Sequence, residues 1–304
     1  MTAPRTVRRV TPAATLACLA LAALAIAPAA SAYAPPVLDA PRASPASAAA
    51  GSAAVSAAGP RAVASAVTPT ATAAAVAHPS GVAPAKVAPR GWKRYWVDDF
   101  ATTAVSSAWD KYNGYPGGYS NGWWAPSHVR STRGMLVLDG FRQGGKFVTG
   151  GVSATRRSSL LYGKYLVRMR ADSGIGVGYV ALLWPTKGGW PPEVDFAEDA
   201  GRSRTTTSGT SHFSASNRQL QKILRVDFTK WHTVGVEWTP TALKYTIDGR
   251  VWATMTGAAV PHVPMHLAIQ SAALKCTSWS ACVSSATPAH VNIYVDWVDI
   301  YRRA

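Results

Sequence analysis

Short runs in which apolar and polar residues alternate dominate the chain from Trp92 onward, and Gly, Pro, Asn and Asp separate them. A period of two is typical of half-buried β-strands, because successive side chains of a strand point to opposite faces. The runs predict strands over residues 135–139, 147–154, 162–171, 178–184, 193–198, 206–213, 231–238, 243–248, 251–255, 265–270 and 291–301. So many short strands with almost no helix predict an all-β fold, a two-sheet antiparallel β-jelly-roll sandwich whose concave face can hold an elongated ligand.

Local features predict particular turns and faces. Asp248–Gly249 lies between two runs and predicts a type I′ hairpin, because Gly tolerates the positive φ that such a turn needs. Residues 217–224 are predicted to form a turn or two of helix. In the last run, one face is predicted to carry Val291, Ile293, Val295 and Trp297, and the other Asn292, Tyr294 and Asp296.

The aromatic residues mark one folded domain. All 12 Trp lie between Trp92 and Trp297, so residues 91–304 have ample material for one buried core. Residues 33–90 are instead rich in Ala, Pro, Ser and Thr and have almost nothing to pack. We expect them to form a disordered linker, because they cannot bury enough surface to offset the entropy of ordering.

The first 32 residues are predicted to be a secretory signal peptide. Arg5, Arg8 and Arg9 precede an apolar run over about residues 13–27, and Ala30–Ser31–Ala32 gives a cleavage site after Ala32. The Arg8–Arg9 pair leaves twin-arginine export open, and Cys18 would be removed with the signal. No uncharged apolar stretch of 18 residues follows, so we expect a secreted protein without a membrane span.

The charge balance suggests the kind of partner. The formal net charge is +16, and loss of the three arginines of the signal peptide leaves +13. Such a surface attracts anionic polymers, and association with the cell wall is an open alternative. Lys and Arg are scattered singly and no nucleic-acid motif is present, so we expect no nucleic-acid partner. We expect a monomer.

The remaining reactive residues are predicted to be structural. Cys276 and Cys282 are expected to form a disulfide after export. The seven His show no metal-ligand spacing, and we expect no required cofactor. Residues 118–122 match the G-x-S-x-G pattern of serine hydrolases but lack the strand-turn-helix context of a nucleophile elbow.

Three carboxylates carry the predicted chemistry. Glu193 and Asp195 share a face of one strand, and a β-bulge near Phe196–Ala197 would bring Glu198 to the same face. Acids in one row repel each other, so a structural strand gains nothing from them. Retaining glycoside hydrolysis does need two carboxyl groups about 5 to 5.5 Å apart, one as nucleophile and one as acid.

Residues Glu193-Val194-Asp195-Phe196-Ala197-Glu198 resemble the E-x-D-x-x-E signature of glycoside hydrolase family 16, the laminarinase, lichenase, agarase and κ-carrageenase group. The resemblance extends over residues 92–304 and includes residues 109–112, Trp124, residues 162–165 and 231–239, Asp248–Gly249 and residues 295–298. It implies a jelly roll whose concave substrate cleft crosses the motif. It also implies that Glu193 is the nucleophile, Glu198 the general acid/base and Asp195 the assisting carboxylate.

The resemblance also implies residues that bind sugar. Trp184 and Trp190 match the family's aromatic platforms, although both have a second interpretation as core residues. His212 and Gln270 are expected to face the cleft. Trp123 and Trp124 cannot both point inward on a strand, and Trp124 is our candidate for the cleft.

Two positions bear on linkage and metal binding. Some lichenase-type members carry a Glu where this chain has Gly150–Gly151, so the linkage stays open. The family often binds a structural calcium, and Asp296 is the matching acid, although no dense acidic loop surrounds it. Glu237 is expected to have a surface or ion-pair role.

These observations predict a secreted, retaining, endo-acting β-glucanase that cleaves β-1,3 or mixed β-1,3/1,4 linkages. One alternative is a hydrolase of anionic galactans, suggested by the basic charge and by Arg168 and Arg170. A transglycosylase on the same scaffold and a carbohydrate-binding jelly roll without activity are the others.

Overall fold

A computed structural model describes residues 37–39, 78–118 and 120–304. The predicted signal peptide and most of the predicted linker lie outside these residues. The strands are β1 (Val37–Asp39), β2 (Trp92–Asp98), β3 (Asp110–Lys111), β4 (Trp123–Trp124), β5 (Val129–Thr132), β6 (Met135–Leu138), β7 (Phe141–Gln143), β8 (Lys146–Thr149), β9 (Gly151–Ser153), β10 (Gly163–Ala171), β11 (Val177–Pro185), β12 (Glu193–Asp199), β13 (Thr206–His212), β14 (Gln219–Arg225), β15 (His232–Trp238), β16 (Ala242–Ile247), β17 (Arg250–Thr256), β18 (Met265–Ala273) and β19 (Ile293–Arg303). The helices are α1 (Thr155–Ser158) and 3₁₀ turns at Pro126–His128 and Gly257–Ala259.

Two large sheets form the sandwich. The site sheet has the order β1-β14-β13-β12-β11-β18-β9-β3. The back sheet has the order β17-β16-β15-β10-β19-β6-β5, with β2 also paired to β19. A small third sheet has the order β4-β8-β7. Apart from the parallel pairs β1·β14 and β4·β8, the described strands pair antiparallel, which confirms the predicted all-β jelly-roll sandwich.

The core lies between the two large sheets. Its members from the site sheet include Tyr179, Leu183, Phe196 and Ile269, and those from the back sheet include Tyr165, Val236, Tyr245 and Val295. All are at most 2 % exposed. Each large apolar side chain buried in this way contributes about 1.5–3 kcal/mol, so the core holds the two sheets together.

The predicted Asp248–Gly249 hairpin is present. Asp248 has φ +46° and Gly249 has φ +80°, as a type I′ turn requires at both central residues. The turn joins β16 to β17 at the edge of the back sheet.

The predicted helix at residues 217–224 is wrong. Residues Gln219–Arg225 form β14 instead, which pairs with all seven residues of β13. Gln, Lys, Leu and Arg favour a helix locally, but the hydrogen bonds and side-chain contacts of a neighbouring strand outweigh that small preference.

The strand predicted over residues 147–154 is two strands. It breaks at Gly150, so that Lys146–Thr149 belongs to the small sheet and Gly151–Ser153 to the site sheet. The backbone of Gly150 still accepts a hydrogen bond from the N–H of Ser271 (3.0 Å).

The prediction that Trp297 shares a face with Ile293 and Val295 is also wrong. The register between β10 and β19 shifts at Asp296, because Arg168 pairs with Trp297 and Met169 with Val295. One extra residue in β19 shifts the alternation, so that the side chains after it point to the opposite faces. Val298 therefore enters the core and Trp297 does not. The indole N–H of Trp297 donates to the carbonyl of Val82 (2.7 Å).

Part of the predicted linker contacts the folded domain. The backbone N–H of Ser80 donates to Asp296 (3.2 Å), and the carbonyl of Ala85 accepts from Arg94. β1 pairs in parallel with β14 at the edge of the site sheet. No helix within the described residues is long and apolar enough to cross a membrane.

Two structural predictions are confirmed. Cys276 and Cys282 form a disulfide that closes the loop after β18. Glu237 forms an ion pair on the back sheet, with 2.8 Å between its Oε1 and the Nζ of Lys164.

Candidate active site

The three carboxylates lie on one face of β12. Leu182 pairs with Asp195 and Ala181 with Ala197, so Phe196 is an extra residue in this strand. The register towards β13 shifts over the same interval. The predicted β-bulge is therefore confirmed. Its consequence is that Val194, Phe196 and Ala197 all enter the core, whereas Glu193, Asp195 and Glu198 share the outer face of the site sheet.

The floor beside these acids is apolar. Val180, Leu182, Trp184 and Ala268 form a cluster on the neighbouring strands, and Trp190 packs against it. Glu193 is 4 % exposed and Asp195 is 2 % exposed, whereas Glu198 is half-buried. We call Glu193, Asp195 and Glu198 the trio. Among the ion pairs of the described residues, His212 is the cation that contacts it. Carboxylates held so close together in an apolar setting bind protons more tightly.

Glu193 is held by an indole. The Nε1–H of Trp190 donates to Glu193 Oε2 over 2.8 Å. Burial and the negative charge of Asp195 raise the pKa of Glu193 well above its ordinary value, and the hydrogen bond from Trp190 offsets part of that rise. An indole N–H can only donate, so this contact favours the ionised form of Glu193.

Glu198 is held by hydroxyl groups of β13. Ser208 Oγ lies 3.2 Å and Thr210 Oγ1 3.5 Å from Glu198 Oε2, and Gln221 Nε2 donates to the Thr210 hydroxyl (3.1 Å). Burial and the charge of Asp195 raise the pKa of Glu198 to about 8. Hydroxyl groups both donate and accept, so Glu198 keeps partners in either protonation state.

Asp195, between the two Glu, contacts a histidine. His212 Nε2 lies 3.3 Å from Asp195 Oδ2, and His212 Nδ1 lies 2.7 Å from Asn217 Oδ1. Burial lowers the pKa of His212, but the hydrogen bond and charge of Asp195 outweigh it and raise the pKa to about 9. The cationic form of His212 therefore compensates part of the negative charge of the trio.

Comparison with known proteins agrees with this geometry. The sequence model of "Glycosyl hydrolases family 16" matches residues 119–299, more than half of the chain. The chain belongs to glycosyl hydrolase family 16. A family 16 member is a glycosidase, and the E-x-D-x-x-E segment lies inside the matched region.

The relatives that match this chain are distant in sequence. A glucan endo-1,3-beta-glucosidase of Cryptopygus antarcticus is 24% identical over 193 residues, which are 54% of this chain and 69% of that protein. A beta-glucanase of Rhodothermus marinus is 23% identical over 189 residues, which are 53% of this chain and 64% of that protein. The solved laminarinase of Rhodothermus marinus has a TM-score of 0.62 and 22% identity, covering 70% of this chain and 98% of that one. This last likeness establishes the shared fold.

The predicted sugar-binding residues of this family 16 site differ in exposure. Trp190 is half-exposed and lies beside the ring of His212, with 6.0 Å between the ring centroids. Trp184 is only 4 % exposed within the apolar floor. Gln270 pairs with Val180, which pairs with Glu198, so it lies in the same row of the site sheet as the acid.

Trp124 is less open to a ligand than predicted. It is 4 % exposed, and its indole N–H donates to the carbonyl of Ser271 (2.8 Å). Its ring packs against Tyr112, with 4.8 Å between the centroids. The neighbouring Trp123 is half-buried and keeps part of its ring exposed.

Tyr112 covers Gly151, one of the two glycines singled out in the sequence. A Cβ added at Gly151 would lie 2.5 Å from Tyr112 Cδ2 and 3.2 Å from Gln270 Cβ. No side chain larger than hydrogen fits there unless the ring moves. In this chain an aromatic ring therefore occupies the end of the row that contains Gln270 and Glu198.

Sequence reasoning missed several residues that contact the trio or the side chains around it. Ser208 and Thr210 alternate with core positions on β13, but only the strand order places them against Glu198. Asn217 comes from the segment predicted as helix. His266 pairs with Trp184 across the strands and is 1 % exposed, and burial lowers its pKa to about 4.

The surroundings of Asp296 do not fit calcium. Its carboxylate accepts the backbone N–H of Ser80 and the Ser80 hydroxyl, and His78 Nδ1 lies 3.4 Å from Oδ1. Calcium instead needs six to eight oxygen ligands at about 2.3–2.6 Å. Within the described residues no group of three or more His, Cys, Asp or Glu could hold a metal ion.

Other residues singled out in the sequence lie away from the trio. Arg168 and Arg170 are on β10 of the back sheet, with Asp248 at 3.5 Å and Asp172 at 3.3 Å respectively. They therefore give no support to an anionic substrate in the cleft. Ser120 of the G-x-S-x-G segment is fully buried, and its hydroxyl donates to the carbonyl of Ala273 (3.0 Å).

Proposed function

We propose that the protein is a secreted, retaining, endo-acting β-glucanase that cleaves β-1,3 or mixed β-1,3/1,4 linkages. The observation that carries the proposal is the bulge at Phe196, because it brings three carboxylates, two buried and one half-buried, to one face beside an apolar floor. The relatives named as glucanases support a glucan as the substrate. The signal-like N-terminal sequence supports secretion.

The partners of the two Glu divide their roles. Burial and the charge of Asp195 raise the pKa of both Glu, but Glu193 also accepts a hydrogen bond from a group that only donates, which favours the carboxylate that a nucleophile needs. Glu198 has hydroxyl partners and a pKa of about 8, so it carries a proton at neutral pH. Asp195 lies between them and, with His212, controls the charge that both experience.

In the first step an oxygen of Glu193 attacks the anomeric carbon of the sugar. The bond from that carbon to the glycosidic oxygen breaks, and the leaving oxygen takes the proton of Glu198. In the second step the Glu198 carboxylate takes a proton from water while the water oxygen attacks the same carbon. Glu193 leaves as a carboxylate, and two inversions give net retention.

Release of reducing ends tests the proposal. The substrates are β-1,3-glucan, mixed-linkage glucan, agarose and carrageenan, each incubated with the wild type, Glu198→Ala and the matched control Glu237→Ala. We expect release from a β-glucan by the wild type and the control, and loss in Glu198→Ala. A folded wild type that binds a glucan without releasing reducing ends would support a binding module instead. Release from the galactans alone would refute the glucan assignment.

A further inference from the structure

A second groove lies beside the catalytic face. It encloses about 840 Å³, including its open mouth, and its lining includes Tyr115, Asn121, Trp123, Arg142, Lys146 and Val283. These residues come from β4, β7, β8 and the loops beside them. We call this region the basic groove.

The basic groove is separate from the acids but close to them. Gln270 lies in the same row of the site sheet as Glu198. Three residues further along β18, the carbonyl of Ala273 accepts the backbone N–H of Asn121 (2.8 Å). At about 3.3 Å per residue, the groove begins roughly 10 Å from the row of Glu198.

Two aromatic rings line the groove and are accessible. Tyr115 is 52 % exposed, and Trp123 is half-buried. The Nζ of Lys146 lies 4.4 Å from the centroid of the Trp123 ring, and the Nζ of Lys275 lies 6.0 Å from that of Tyr115. Aromatic faces with a few convergent polar groups are typical of sites for small organic rings, and a sugar ring offers an apolar C–H face of that size.

The cations of the groove have no acidic partner nearby. Arg142 and Lys146 are exposed, and none of the lining residues is acidic. Of the ion pairs formed among the described residues, none includes Arg142, Lys146 or Lys275. By contrast, Arg168 and Arg170 on the back sheet both lie beside an Asp. The groove is therefore a concave, positively charged surface, which concentrates anions.

We propose that the basic groove binds an anionic polysaccharide, with sugar rings against Tyr115 and Trp123 and acidic groups beside Arg142 and Lys146. A neutral glucan has no use for these cations, so the proposal goes beyond the glucanase activity. A sulfate or a carboxylate would satisfy the same guanidinium and ammonium groups. A glycan is favoured over other polyanions because the groove adjoins the face that carries the glycosidase carboxylates.

The test is a comparison of two double variants of the full chain, both made in the Glu193→Gln background so that cleavage does not interfere. R142Q/K146Q removes one Arg and one Lys from the groove. The matched control, K93Q/R302Q, removes one Arg and one Lys from exposed positions of β2 and β19 on the back sheet. All four side chains are exposed, so both variants are expected to fold.

Affinity is measured by titration calorimetry with three oligosaccharide probes: a sulfated carrageenan fragment, a polygalacturonate fragment and a neutral laminarin fragment. We expect R142Q/K146Q to weaken binding of at least one anionic fragment tenfold or more, and K93Q/R302Q to change it less than twofold. The fragment that responds identifies sulfate or carboxylate as the acidic group. Laminarin affinity should be the same in all variants.

Several results would overturn the proposal. Equal weakening by both double variants would assign the binding to net charge alone. Failure of both anionic fragments to bind would exclude the ligand class. A single-stranded oligonucleotide that displaces the fragment at lower concentration would indicate a nucleic acid instead. Failure of the wild type to cleave laminarin would refute the glucanase proposal but leave this measurement intact.

Discussion

Acidic side chains have different surroundings on the outer faces of the two large sheets. On the back sheet acids have cationic partners, such as Lys164 for Glu237 at 2.8 Å and Arg94 for Asp299 at 2.7 Å. On the site sheet Glu193 and Glu198 lie beside a third acid and an apolar floor, and His212 is the cation that contacts the trio.

The pKa values follow this difference. Burial raises the pKa of Asp248 on the back sheet, but hydrogen bonds from His232 and Thr233 outweigh it and leave the pKa below its ordinary value. Burial and the charge of Asp195 raise the pKa of Glu198 to about 8, and the charge of His212 offsets only part of that rise. An acid in an ion pair on the back sheet stays ionised, whereas an acid whose burial is only partly compensated by a cation holds a proton that can be used for chemistry.

The largest expected effect is that of Glu193→Gln. Loss of the attacking carboxylate should reduce kcat by at least 100-fold, as loss of a covalent nucleophile does. The measurement is reducing-end release from the best glucan, with Glu237→Gln as the matched exchange on the back sheet. A Glu193→Gln protein that keeps a tenth or more of wild-type activity would refute the role given to Glu193.

The second largest effect is expected for Trp190→Phe. It keeps an aromatic ring but removes the hydrogen bond to Glu193 Oε2. A hydrogen bond to a charged group contributes about 1.5–3 kcal/mol, so kcat/KM should fall about 10- to 150-fold. The control is Trp109→Phe, which removes an indole hydrogen bond of 2.9 Å to Asp98 outside the site. That variant should lose stability and keep kcat; equal kinetic losses in both variants would contradict a specific role for Trp190.

The pH profile should show a smaller, graded effect. Glu198 has a pKa of about 8, so the protonated acid disappears as the pH rises through that value. Above it kcat/KM should fall about tenfold per pH unit, because this parameter reports the free enzyme. Circular dichroism at each pH shows whether the protein is still folded. A flat profile between pH 7 and 9.5 would exclude Glu198 as the acid.

The smallest effect is on stability. Because the folded-state pKa of Glu198 is raised, folding at pH 7 must take up a proton that the unfolded chain does not hold. Glu198→Gln removes that cost and should raise Tm by about 2–6 °C at pH 7. At pH 4 the folded state and most of the unfolded chains hold the proton, so the gain should shrink towards zero. A gain of the same size at pH 4 would assign it to packing, and Glu237→Gln should give no gain at either pH.

The local sequence pattern was enough to predict much of the fold and the three carboxylates of the trio. Period-two alternation predicts the strands, and Asp248–Gly249 predicts its hairpin, because both depend on backbone sterics and on burial of one strand face. The spacing of Glu193, Asp195 and Glu198 predicts the bulge, since only one extra residue brings all three to the same face. Sequence by itself therefore determined the fold class and the candidate carboxylates.

Tertiary structure decided what depends on partners distant in the chain. Residues Gln219–Arg225 are a strand because β13 pairs with them, against their local preference for helix. Trp297 faces away from the core because of a bulge that its own alternation does not reveal. The protonation of Glu198 depends on Ser208 and His212 from another strand, and the basic groove assembles cations from separate strands and loops. The physical reason is that burial and charge are properties of the assembled neighbourhood, which no short segment contains.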